Sequence, residues 1–307
     1  MNAPTRREIL RGGALLAGSL LLPEALHAAA KPAFHFVHIT DAHIQPELGA
    51  AEGVKQAFSA IRALPQKPAF ALVGGDLVMD AALVPHSRAD MVYDLWQQQA
   101  ADLHLPLHYS IGNHDVYGLK VAGRPATEDP DFGKALWKKR LALDRSYSTF
   151  DHQGWRFVCL DSMGITPEYS WEGVLDAAQL AWLDSLLRST PKTMPMVFLT
   201  HFPIFTAVTM YTESTTAPTP AGNIVKNGRT FEEMIQTHNV KAVFQGHTHI
   251  VEEIDYLGVR YITGGAICGD WWKGKRLGVH PEGFSMVTVS GDDLTWKYIP
   301  YGWKARP

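Results

Sequence analysis

Only two cysteines occur in the 307 residues, Cys159 and Cys268. That scarcity excludes a disulfide-stapled fold, and two distant thiols do not by their spacing show whether they pair. An excess of positive charge is also lacking. The formal net charge is −3, which excludes a strongly basic surface of the kind that holds a nucleic-acid polymer. Past the first thirty residues no apolar run approaches the ~20 residues needed to cross a bilayer, so no stable span is expected in the mature chain.

What is present at the front is a secretory signal. Thr5-Arg6-Arg7-Glu8-Ile9-Leu10-Arg11 is a twin-arginine block, Gly12 to Leu22 is apolar, and Ala28-Ala29-Ala30 offers small residues for cleavage. The apolar stretch is too short for a membrane anchor. Residues 1–30 are therefore expected to be a signal peptide read by the twin-arginine export machinery, which places the mature chain in the periplasm or outside the cell. Residues 31–307 have the length of one large domain.

Strands and helices then alternate. Phe34 to Thr40 reads as a strand, Glu52 to Leu64 as an amphipathic helix, Ala69 to Val73 as a buried strand, Arg88 to Leu103 as a helix and Leu105 to Ile111 as a strand. Ser146 to Phe150 and Trp155 to Leu160 read as a hairpin. Asp176 to Leu187 and Phe231 to Thr237 are helical; Met196 to Thr200 and Val240 to Phe244 are strands. Four further strands follow: Glu252 to Tyr256, Val259 to Thr263, Phe284 to Val289 and Leu294 to Ile299. Alternation gives parallel pairing and hairpins give antiparallel edges, which predicts an α/β fold of two mixed sheets with helices outside. Tyr117 to Asp131 and Phe205 to Arg229 carry little periodicity. The second follows His201 directly and reads either as a lid or as a surface insertion.

Five short motifs sit at the ends of apolar runs: Asp41-Ala42-His43, Gly75-Asp76, Gly112-Asn113-His114-Asp115, Thr200-His201 and Gly246-His247-Thr248-His249. Asp41, His43, Asp76, Asn113, His201, His247 and His249 together form a ligand set for two metal ions side by side. Carboxylates and imidazoles suit Fe, Mn or Zn. Asp76 has two oxygens and can bridge two cations, and Asn113 adds a neutral oxygen that limits the negative charge. Two adjacent ions can clamp the attacking and leaving oxygens of a phosphoester displacement. Each motif alone is weak; all five in order, each behind a strand, are specific.

The set and its order resemble the calcineurin-like metallophosphoesterase superfamily. Leu160-Asp161-Ser162, Gly173-Val174-Leu175 and Gln179-Leu180-x-Trp182-Leu183 extend the resemblance over nearly all of 31–307. It implies a four-layer sandwich of two mixed β-sheets flanked by helices. It also implies one metal on Asp41, His43 and His249, a second on Asn113, His201 and His247, and Asp76 shared. A hydroxide between the ions is the implied nucleophile. His114 is implied to stay off the metals and to protonate the leaving oxygen, with Asp115 orienting its ring. Purple acid phosphatases carry a tyrosine three residues after the bridging aspartate; here that position is Met79. The pattern without that tyrosine looks more like the class III cyclic-nucleotide phosphodiesterases. The expected substrate is a small phosphoester, possibly nucleotide-like, with diester hydrolysis favoured. A phosphomonoesterase with the same metals is the alternative, and a non-catalytic scaffold is disfavoured because every expected ligand and His114 are retained.

Trp271, Trp272 and Lys273 lie in a glycine-rich segment. They are candidates for substrate binding through stacking and charge, or the tryptophans close a sandwich edge. The nine histidines outside the motifs, His86 and His280 among them, are read as surface or hydrogen-bonded structural groups.

Overall fold

The computed structural model describes residues 33–306; the signal-peptide assignment on residues 1–30 lies outside them. In chain order the elements are β1 (Phe34–Ile39), α1 (Ala50–Arg62), β2 (Ala71–Val73), α2 (His86–Leu103), β3 (Leu107–Tyr109), α3 (Ala135–Leu141), β4 (Ser148–His152), β5 (Trp155–Cys159), β6 (Met163–Ile165), β7 (Trp171–Gly173) and α4 (Ala177–Ser189). Then come β8 (Met196–Leu199), α5 (Val208–Thr212), α6 (Gly228–Ile235), β9 (Val240–Gln245), β10 (Val251–Tyr256), β11 (Val259–Gly264), β12 (Gly283–Ser290) and β13 (Asp293–Pro300). Among the described residues no helix is long and apolar enough to cross a membrane.

Two mixed sheets result. One has the order β13-β12-β1-β2-β3, the other β10-β11-β9-β8-β5-β4. β1, β2 and β3 are mutually parallel, as are β5, β8, β9 and β11; β12, β13, β4 and β10 supply the antiparallel pairs.

Strand alternation explains why the sheets stack. On β1, Phe36 faces the other sheet while Val37 and Ile39 face helices. On β8, Val197 and Leu199 face inward while Met196 and Phe198 face out, and on β9 Ala242 and Phe244 oppose Val243. Strands covered on both faces read as continuous apolar runs, which is what their sequences show. Phe36, Phe70, Phe157 and Phe244 mesh between the sheets, Phe36 and Phe70 stacked with centroids 5.2 Å apart. α1 and α2 cover one outer face, with Phe58 against Trp96. Phe231 of α6 packs on Phe198 at the other. The arrangement is the expected four-layer sandwich.

The departures are local. α3 and the β6–β7 ribbon carry too few periodic residues to be read from sequence. Phe205 to Arg229 is built in: it contains α5 and the start of α6, and Val225 is buried. Val225 N donates to Pro203 O at 2.8 Å, and Gly173 N to Ala221 O at 2.7 Å. Cys159 and Cys268 are both free and buried.

Candidate metal centre

Each motif leaves the carboxyl end of a strand. Asp41 and His43 follow β1, Asp76 follows β2, Asn113 and His114 follow β3, His201 follows β8, and His247 and His249 follow β9. Loops at these ends converge in an α/β sheet. Two glycines permit the close approach: a Cβ on Gly75 would meet Gly112 N at 2.6 Å and His201 Nδ1 at 2.8 Å, and one on Gly112 would land on the Asp76 carboxylate. Asp41, His43, Asp76, His247 and His249 all take left-handed backbone, with φ of 54°, 41°, 51°, 70° and 60°. Non-glycine residues pay about 1–2 kcal/mol for that conformation, so the surrounding fold must hold it.

The ligand atoms face one another. Asp41 Oδ1 lies 3.3 Å from His249 Nε2, which is 3.1 Å from His43 Nε2. Asn113 Oδ1 lies 3.2 Å from His201 Nε2 and 3.0 Å from His247 Nδ1. Asp76 Oδ2 stands between the two groups, 3.5 Å from His43 Nε2 and 3.3 Å from His201 Nε2. Ligands about 2.0–2.2 Å from a common ion are separated from each other by about 3–3.5 Å, so these spacings fit what two adjacent ions would require of these side chains.

The outer atoms fix the inner ones. His201 Nδ1 is 2.8 Å from Gly74 O, His249 Nδ1 is 2.6 Å from Gly269 O, and His247 Nε2 is 2.8 Å from Gly222 O. A ring nitrogen that donates to a carbonyl leaves the other nitrogen's lone pair for a metal. His201 and His249 thus present Nε2 and His247 presents Nδ1, while His43 turns Nε2 to the same group without an outer partner. Asp41 also accepts the His247 N–H and the Thr40 hydroxyl, the latter at 2.6 Å. Asp76 Oδ1 takes the His114 N–H at 2.8 Å, leaving Oδ2 free.

The electrostatics call for cations. Asp41, His43, Asp76, Asn113, His201 and His249 are almost fully buried, and His43 Nδ1 has no partner. Burial would raise the Asp41 pKa, but the facing His249 outweighs it and holds the carboxyl at about 2. Burial would lower His201, but Asp76 outweighs it and raises the imidazole to about 9. Burial and then His201 push His247 down to about 3. Buried carboxylates packed this closely against imidazoles draw positive charge, which protons on the rings or bound cations can supply, and the donor set fits two metal ions.

His114 is placed differently. Its side chain is 18% exposed, and its ring centroid lies 4.7 Å from that of His43. One of its nitrogens falls in a group with His43 and Asp76 whose ligand-type atoms lie within 4.8 Å of one another. The carboxylate facing it is not Asp115. Asp80 Oδ2 is 3.8 Å from His114 Nδ1, whereas both Asp115 oxygens are taken by backbone: Oδ2 by the N–H groups of Asp76 and Gly112 at 2.9 Å, Oδ1 by that of Leu77 at 2.8 Å. The expected orienting role of Asp115 is corrected accordingly: it clamps two ligand-bearing turns together. Sequence reading passed over Asp80, whose only signal was its place four residues after Asp76.

The glycine-rich segment divides. Trp271 stands at the centre, its ring 4.6 Å from that of His249 and 6.0 Å from that of His43, with the Arg276 guanidinium 5.1 Å from its ring centroid. Trp272 does not. It is buried, donates Nε1–H to His43 O at 3.0 Å, and fills the space over Gly53, so it supports the ligand loop and cannot touch substrate. Lys273 is exposed and is not brought to the ligands by any described side-chain contact. The second motif layer has a scaffold role. The Gln179 amide pairs with both backbone groups of Asp161 at 2.7 and 2.8 Å, and Ser162 Oγ accepts the Phe202 N–H beside His201 at 2.9 Å.

Known proteins share this chain's fold and sequence family. The mouse serine/threonine-protein phosphatase CPPED1 is 26% identical over 246 residues, covering 80% of this chain and 72% of the relative. A zebrafish (Danio rerio) dimetal phosphatase structure superposes with a TM-score of 0.59 at 15% identity, over 88% of this chain and 99% of that one. GAP50 of Plasmodium, described as the anchor in the inner membrane complex, superposes at 0.55 with 13% identity, over 88% and 85%. Residues 34–251, which carry every metal-facing side chain above, match the model of one family, and the chain belongs to it: the calcineurin-like phosphoesterases.

Proposed function

We propose that this phosphoesterase is a dinuclear enzyme that prefers phosphodiesters and works in an exported compartment. The observation that carries the two-ion reading is the position of Asp76 Oδ2 within 3.5 Å of both His43 Nε2 and His201 Nε2. Zn, Mn or Fe suits the mixed nitrogen and oxygen donors. Bound there, two ions would polarise the phosphoryl group and make a water more acidic.

The chain's own residues supply the rest. Asp115 and the paired glycines hold the Asp76 and Asn113 turns in register. Trp271 walls one side of the centre. His114 turns Nδ1 toward Asp80, which leaves its other ring nitrogen for the leaving oxygen. Burial would lower its pKa, but Asp76 and then Asp80 outweigh burial and raise it. The shift favours the protonated ring, which could hand a proton over as the ester bond breaks.

The diester preference rests on charge. Arg276, the cation stacked on Trp271, is already paired with Asp270 at 3.0 Å. It is not free to match the second negative charge of a monoester, whereas a diester carries one. A monoesterase is the second reading, favoured by the phosphatase names of the mouse and zebrafish proteins. After metal loading, kcat/KM is measured on bis(p-nitrophenyl) phosphate and on p-nitrophenyl phosphate. A higher value on the diester is expected, the reverse favours the second reading, and no turnover of either leaves a binding role such as that of GAP50. Export rests on Arg6-Arg7; replacing both with Lys is expected to leave precursor in the cytoplasm.

A further inference from the structure

We infer that a groove beside the metal centre receives the apolar organic group of the phosphoester, so that the preferred substrates carry a large alkyl or aryl group; this rests on the phosphoester reading above. The groove measures about 700 Å³ between α5, the start of β10 and the loop that carries Leu277, Val279 and His280, within the range of small-molecule sites. Its walls expose apolar side chains: Tyr211 is 71% exposed, Val279 67% and Leu277 42%, with Met210 at 56% beside them. Single exposed apolar residues are ordinary, but a cluster around one cavity marks a binding surface.

The groove lies next to the centre along the chain on both sides. Ile250 and Val251 line it, and Ile250 directly follows His249. Leu277 directly follows Arg276, which lies over Trp271, whose ring is 4.6 Å from His249. Tyr211 belongs to the segment whose Gly222 carbonyl meets His247. A phosphoryl group at the metals would therefore have its organic substituent directed past Trp271 into the groove.

The polar lining narrows the chemistry. Glu252 Oε1 accepts the Ala207 N–H at 2.7 Å, Glu253 accepts the Trp296 indole N–H at 2.6 Å, and His280 Nδ1 accepts the Val251 N–H at 3.2 Å. Each of these groups has one atom committed to the protein, and only Glu252 Oε2 is buried without a partner, so the apolar walls supply most of the free contact surface. Two carboxylates in the lining also oppose further negative charge, which argues against a nucleoside polyphosphate there.

The test uses the metal-loaded chain. Binding of phenylphosphonate and 4-hexylphenylphosphonate is measured by calorimetry. Hydrolysis of phenyl and 4-hexylphenyl esters, as monoesters and methyl diesters, is measured in parallel. The hexyl chain should tighten binding and raise kcat/KM on the order of tenfold or more. In Val279→Asp and Tyr211→Ser, both at exposed positions, the hexyl-to-phenyl ratio should fall toward one. Equal binding of the two phosphonates overturns the proposal, as does a hexyl gain that survives both substitutions. So does a dimer that Val279→Asp converts to monomer, because a second copy would then be the occupant. If no ester is hydrolysed, the phosphoester reading fails instead, and the phosphonate ratio still reads the groove.

Discussion

Two clusters of histidine and aspartate occupy this chain, and on residue types alone they look alike. His86, at the start of α2, gathers with Asp129 and Asp131, and His43 gathers with Asp76 and His114, each group within 4.8 Å. Around His86 both ring nitrogens and Asp131 have charged partners. Nε2 meets Asp131 at 2.9 Å, Nδ1 meets Asp90 at 2.9 Å, and Lys139 reaches Asp131 at 2.7 Å. The His86 ring is 32% exposed, with water to screen what remains. Around Asp76 the neighbours are imidazoles and other carboxylates, nearly all buried, with Asp76 facing two ring nitrogens through one oxygen. The surface cluster is an ion network that its own lysine and histidine complete; the buried one is a donor set turned inward. Burial and inward-facing donors, not composition, distinguish the candidate metal centre.

The largest expected effect tests that contrast directly. Asp76→Ala should lose both ions and bring turnover to background, because one oxygen serves both shells; elemental analysis that still finds two tightly bound ions would remove the shared-ligand claim. His114→Ala should keep both ions and slow turnover about 10²–10⁴-fold. Its deficit should shrink for good leaving groups such as p-nitrophenol; metal loss in this variant would instead assign His114 to the coordination shell. Asp80→Asn should cost about 10–100-fold in kcat with metal content and KM little changed, as for partners that orient a functional imidazole. If Asp115→Asn reproduced that selective kcat loss and Asp80→Asn did not, the assignment of the two carboxylates would have to be exchanged.

The smallest effect belongs to the surface cluster. The Asp131 bond outweighs partial burial and raises the His86 pKa above its usual 6.5. Its contribution is then fully present below about pH 6.5 and is lost as pH rises through the raised value. His86→Gln should cost under about 1 kcal/mol at pH 6, with the difference from the parent narrowing by pH 8 in denaturant titrations. Metal content should not change at either pH. A widening difference would contradict the ion-pair reading.

The sequence made the scaffold and the ligand set legible because both are local signals. Continuous apolar runs announced strands buried on two faces, and each ligand stood at the end of such a run. Asp176 opens α4 as its N-cap, accepting the Gln179 N–H at 2.7 Å, so that helix start was also visible. What stayed hidden depends on contacts between distant segments. Asp115 adjoins His114 in sequence, yet three backbone N–H groups from two turns claim its carboxylate. Asp80 reaches His114 only because the β2 and β3 loops lie side by side. Trp271 and Trp272 were indistinguishable as neighbours; the space over Gly53 in α1 draws one under the loop and leaves the other at the centre.

The left-handed backbone at Asp41, His43, Asp76, His247 and His249 bears on how this site can be lost over generations. At each of these positions glycine would relax the chain and delete a ligand in the same step. Changes of that kind would offset part of their own damage, since the backbone relaxes even where the N–H of His247 or His114 loses its carboxylate acceptor. Where that offset suffices, ordinary quality control would pass them, and only selection on activity would weed them out. Descendants freed from that selection are therefore expected to drift toward well-folded, metal-free binding proteins rather than toward collapse.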